Sequence, residues 1–128
     1  MSATEAHEVI RQVKKVIGDV DIPLCVSILD HEGLEMYSTR NCSAEDIEST
    51  GMLGIMAFDG LVNSLKRRSD KKVEMLIFRT EEGDEYFITP VSDNAFMAAV
   101  SQKGKIGSVI PFLDGLSRQI RYALSKLD

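Results

Sequence analysis

Apolar residues at Val9, Ile10, Val13, Val16 and Ile17 recur at helical spacing through residues 2–17. Ser2 and Glu5 stand at capping-box distance and Gly18 is a natural stop, so the chain opens with a helix. The period then changes. "IPLCVSIL" and "LEMYST" are short β-rich runs on either side of "DHEG", which predicts a hairpin. Ser43 is placed to cap a long helical segment from about Ala44 to Arg68. Beyond it, "VEMLIFRT", "EEGD" and "EYFITPV" spell a second hairpin, and "SDN" leads into a further antiparallel strand, "AFMAAVSQ". Val109, Leu113, Leu116, Ile120, Ala123 and Leu127 close the chain with a helix. Pro111 is expected in its first turn, where the missing N–H costs nothing.

The predicted order is α-β-β-α-β-β-β-α, an α+β domain whose short turns demand a mainly antiparallel sheet of about five strands. Which faces are buried is more telling. In "VEMLIF", Val73, Met75 and Ile77 share one face while Leu76 and Phe78 lie on the other, and "AFMAAV" is apolar on both faces. A sheet with one wet face would alternate apolar and polar residues, so this one needs helices on both sides. Ile47, Gly51, Gly54, Phe58, Leu61, Val62 and Leu65 form a stripe of the long helix suited to the sheet. Met52, Leu53 and Met56 fall outside that stripe and point to a further contact, where Gly51 and Gly54 would let a partner backbone come close.

Three stretches resemble a known domain: the hairpin "VSILDHEGLEMYS", the run "ITPVSDNAFMAAVSQKGKIGSV" and the closing amphipathic helix. Together they are similar to the roadblock family of dynein light-chain type, over nearly the whole chain. The resemblance implies one roadblock-like domain over residues 1–128, with the long middle helix on one sheet face and the terminal helices on the other. It also implies a homodimer in which the strand after the middle helix pairs with its twin and the two middle helices pack together. Met52, Leu53, Met56, Val73, Met75, Leu76 and Ile77 are the interface residues this implies. An apolar sheet edge without proline is an aggregation hazard until something pairs with it, which fits the same arrangement. Members of the family serve as scaffolds and regulators of Ras-like GTPases, and the resemblance implies such a partner here.

Composition narrows the alternatives. With 128 residues, 44% of them hydrophobic and 27% charged, the chain has the make-up of one soluble globular domain. A net charge of −5 argues against a nucleic-acid partner, and no apolar run approaches the length of a membrane span. The acidic start "MSATEAHEVI" does not read as a signal peptide, so a cytoplasmic protein is expected. Cys25 and Cys42 offer neither metal-ligand spacing nor a disulfide framework, and Cys25 reads as a small core residue.

Candidate chemistry is sparse. "SQKGKIGS" (101–108) sets lysines among glycines ahead of a helix, yet Gly-Lys-Ser/Thr occurs nowhere in the chain. It reads as a strand-to-helix turn with Ser108 as a candidate cap, and the protein is expected to meet a GTPase rather than be one. "DHEG" and "EEGDE" read as hairpin turns; neither has the ligand spacing of a metal loop. No nucleophile motif is present, so no enzyme and no cofactor are expected. Lys66, Arg67, Arg68, Lys71 and Lys72 make a basic spot on an acidic protein, a candidate surface for an acidic partner or, indirectly, a membrane. The alternative reading is a small-molecule sensor of PAS-like or profilin-like layout, for which Ser27, Thr89 and Ser101 are the uncharged polar candidates.

Overall fold

A computed structural model describes residues 3–18, 24–30, 32–39, 42–66, 74–93, 95–101 and 106–126. In chain order these form α1 (Ala3–Gly18), β1 (Cys25–Asp30), β2 (Glu35–Ser38) and α2 (Ala44–Lys66). They continue as β3 (Leu76–Arg79), β4 (Glu85–Ser92), β5 (Ala95–Ser101) and α3 (Ile106–Ser125). The five strands form one sheet in the order β2-β1-β5-β4-β3, and every neighbouring pair is antiparallel. The predicted element order and fold class therefore hold.

Both hairpins turn by the same device. In the first, the Asp30 carboxylate accepts from the backbone N–H groups of Glu32 (2.9 Å) and Leu34 (3.0 Å), while Gly33 takes φ 83°. In the second, Thr80 Oγ1 accepts from Asp84 N–H at 3.2 Å and Gly83 takes φ 95°. A side-chain acceptor at the first position and a glycine at the fourth supply what the backbone needs there. "DHEG" and "EEGD" are thus turn chemistry, although His31 itself lies outside the described residues. Ser43 caps α2 as expected, its hydroxyl accepting from Asp46 N–H at 3.0 Å.

The two sheet faces are covered differently. Val26, Ile28, Phe87, Met97 and Ala99 point to one side, where Val13 and Ile17 of α1 and Leu113, Leu116 and Ile120 of α3 close over them. Leu29, Ile88, Phe96 and Ala98 point to the other, beneath Ile47 of α2 and beside Leu76 and Phe78. The edge strand is held there by Phe78 stacked on Tyr86, ring centroids 4.9 Å apart.

Four sequence expectations change. Cys25 is buried as expected, but it is bonded to Cys42, tying the start of β1 to the segment that enters α2. Spacing along the chain hid this; the bond forms because the antiparallel return of β2 brings the two Cα atoms to 4.5 Å. Gly51 and Gly54 face inward, as their place in the sheet-facing stripe predicted, and what changes is that the backbone or ring each approaches belongs to this chain rather than to a partner. A Cβ on Gly51 would strike the Gly33 carbonyl oxygen, and one on Gly54 would come within 2.7 Å of the Phe96 ring. Leu61, assigned to the sheet-facing stripe, is exposed. Finally α3 begins at Ile106, which puts Pro111 in the second turn. There its missing N–H leaves the Gly107 carbonyl without a helix partner, and both residues are solvent-exposed, so water can serve it.

Candidate protein-binding surface

Helix α2 packs closely on the rest of the fold through Gly51 and Gly54, and the described side chains on its opposite side are exposed. On that side Met52 is 61% and Met56 71% exposed, with Leu53 also open to solvent. Met52 and Met56 are four residues apart and therefore stacked on one helical face. Large flexible thioether side chains adapt to varied partner shapes, which suits a contact surface.

The neighbouring feature is β3, the outermost strand on one side of the sheet. Its register with β4 is regular, Leu76 opposite Ile88 and Phe78 opposite Tyr86. Ile77 is exposed, whereas Met75 packs partly against the α1/α3 core and Leu76 partly against the α2 core. Of the residues implied as an interface, Met52, Leu53, Met56 and Ile77 thus present themselves outward, and Met75 and Leu76 do so only in part. Val73 lies outside the described residues. So do Arg67, Arg68, Lys71 and Lys72 of the basic spot; Lys66 ends α2.

Ser27, Thr89 and Ser101 are all buried, but Ser27 lies on the opposite sheet face from the other two, and Ser101 stands opposite Glu85, four residues along β4 from Thr89. Ser27 sits between Cys25 and Leu29 on the α2 side of β1. Thr89 sits between Phe87 and Val91 on the α1/α3 side of β4, where its hydroxyl donates to the Glu74 carbonyl at 2.7 Å. The sensor reading therefore loses the shared cavity it requires. A cavity of about 440 Å³ does exist beside α3, among Glu74, Arg118, Arg121 and Tyr122. Its arginines are engaged within the chain: Arg121 donates to the Pro90 carbonyl at 3.1 Å, and Arg118 pairs with Asp114 at 3.2 Å.

Sequence reasoning missed the exposed Leu34 and Met36 of the first hairpin and Phe112 and Tyr122 of α3. Leu34 and Met36 sit in a run read simply as strand, and nothing in its alternation shows that no helix covers them. Among the described residues no helix is long and apolar enough to cross a membrane.

A five-stranded antiparallel sheet with one long helix on one face and the terminal helices on the other is the roadblock-type fold, and comparison with solved structures shows it directly. Myxococcus xanthus MglB superposes with a TM-score of 0.75 at 14% identity, over 93% of this chain and 92% of that one. A Roadblock/LC7 domain from Streptomyces avermitilis gives 0.66 at 12% identity, over 79% and 84%. The gliding protein MglB from Thermus thermophilus gives 0.65 at 11% identity, over 96% and 92%. No protein-family model and no curated protein matches the sequence.

Proposed function

We propose that the protein is a non-enzymatic, homodimeric adaptor of the cytoplasm that binds a small Ras-like GTPase and modulates its nucleotide cycle. One observation carries this reading: an apolar strip on the outer face of α2, at Met52, Leu53 and Met56, accompanies an unpaired sheet edge at β3. A twin subunit answers both needs together. Strand β3 continues its hydrogen bonding into the twin's β3, and the α2 strips cover one another. The roadblock-type fold and the sequence resemblance support the choice of a GTPase as partner. No side chain in the described surface is arranged for hydrolysis, so the effect on a GTPase would pass through the partner's own switch loops.

Light scattering at several concentrations tests the dimer. The expected mass is twice 14.2 kDa, and a mass of 14.2 kDa persisting at high micromolar concentration removes the reading. Association with candidate small GTPases in both nucleotide states tests the partner. Absence of binding in either state removes that half while leaving the dimer intact. The cytoplasmic setting has its own check, because cytosolic reductants keep most thiols reduced and Cys25–Cys42 is a disulfide here. Alkylation of freshly lysed cells followed by mass spectrometry reads the state of that pair. A fully oxidised pair counts against the cytoplasm, and a reduced one supports it.

A further inference from the structure

At the end of the molecule opposite β3, the first hairpin and the first turns of α2 flank an open groove of about 330 Å³. Its two walls are built rather than accidental. The hairpin wall is shaped by the Asp30 carboxylate and by Gly33, and the helix wall is seated on it where Gly51 meets the Gly33 carbonyl. Neither wall can move without breaking a turn or lifting the helix, so the concavity is formed before anything binds.

Its lining combines two chemistries. Leu34, Ile47 and Met52 supply apolar surface, with Leu34 and Met52 each 61% exposed at the lip. Glu32, Glu35 and Glu48 supply carboxylates around them, and no Lys or Arg is among the described residues that line it. Glu45 and Asp46 in the first turn of α2 add negative charge nearby. An anionic lipid or acidic peptide would be repelled by such a rim. A wholly apolar segment would bring no opposite charge to Glu35 and Glu48.

We infer that this groove is a docking site for a cationic, apolar segment of another protein: a large aliphatic side chain seated between Leu34 and Met52, flanked by Lys or Arg reaching Glu35 and Glu48. The apolar contact gives the affinity, and the carboxylates give orientation and speed of encounter. The inference needs no GTPase partner; it shares Met52 with the strip that the proposed homodimer would cover, so the docked segment and the twin subunit compete for that side chain, and saturating peptide is expected to weaken self-association. A competing occupant is a second copy of this chain, whose residues 66–72 carry five cations.

The test is an NMR titration of the whole protein with three short synthetic peptides: leucines flanked by arginines, the same with glutamates for arginines, and the same with serines for leucines. The first is expected to saturate, with shifts centred on Leu34, Ile47 and Met52, and the other two to bind weakly or not at all. The double variant Glu35→Lys/Glu48→Lys should raise its Kd by at least about tenfold, and so should about 0.5 M salt. Glu35, Glu48 and Leu34 are exposed, so these variants and Leu34→Ser are expected to keep the wild-type fold, which their spectra check. Several outcomes overturn the inference: no saturation by about 1 mM, equal binding of all three peptides, shifts elsewhere, or a Kd untouched by the charge reversal. If instead the charge reversal weakens self-association and no peptide binds, the groove belongs to the second copy and the inference is equally lost.

Discussion

The two faces of the sheet are made of similar residues and finished in different ways. On the α1/α3 side, two helices close over Phe87, Met97 and Ile28, none of which retains any exposed surface, and the buried Thr89 has its hydrogen bond. On the α2 side, a single helix lies against Phe96 and the Gly33 carbonyl through two glycines, and the Ser27 hydroxyl beneath it has no hydrogen-bond partner among the described residues. The first face is completed by the chain itself. The second buries its inner layer and then begins another apolar layer, at Met52 and Met56, that none of the described residues covers. Exposed apolar residues grouped on one helical face are informative, because such a patch is where a contact between molecules is to be sought.

The comparison can be broken most forcefully at its strongest point. Phe87→Ala empties a fully buried site on the closed face and should cost about 3–5 kcal/mol in urea denaturation. A loss well under 1 kcal/mol would mean that this face is no better packed than the other. Reducing Cys25–Cys42, which span 17 residues of sequence, should cost about 3 kcal/mol between oxidised and reduced melts. An identical melting curve would show the bond contributes nothing to stability. Gly51→Ala forces a methyl against the Gly33 carbonyl and should cost about 1–3 kcal/mol, although alanine is the better helix former. A gain in stability would show that α2 stands off the hairpin. Met52→Ser with Met56→Ser should move unfolding of the isolated subunit by about 0.5 kcal/mol or less while weakening self-association strongly.

The smallest effect belongs to Tyr37, whose hydroxyl burial raises above its ordinary value of 10.0. The folded state therefore holds the proton that the unfolded chain releases, so stability present below pH 10 declines as the pH rises beyond it. An ultraviolet titration showing Tyr37 ionising at or below the ordinary value would refute the shift.

Much of the architecture was legible because each element carries its own local signal. The Asp30–Gly33 and Thr80–Gly83 turns, the Ser43 cap and the two-sided apolar strand β5 are properties of a few adjacent residues. What stayed hidden depends on residues distant in sequence and near in space. Cys25 and Cys42 meet because a hairpin returns on itself, and nothing in their spacing announces it. Gly51 and Gly54 announced a face packed on the sheet correctly, but not that Gly51 would meet the Gly33 carbonyl of the hairpin turn, since helix periodicity gives the spacing of a face and not each position's neighbour. Leu34 was unreadable as surface, because exposure at a hairpin tip is decided by where α2 stops covering the sheet. The strip proposed for the dimer was half legible. Met52 and Met56 stood out from the helical stripe, whereas the partial burial of Met75 and Leu76 follows from strand placement that periodicity cannot weigh.

The Cys25–Cys42 bond has one more consequence. It brackets the whole of β1, the turn and β2, so the oxidised chain carries that ribbon as a closed ring even when every other contact has dissolved. Denaturant then meets an already contracted coil, and the ends of the ring need never search for each other on the way back. Amide exchange in the intact protein should accordingly find these two strands opening together, as a unit with its own clock, and reduction should dissolve that unit.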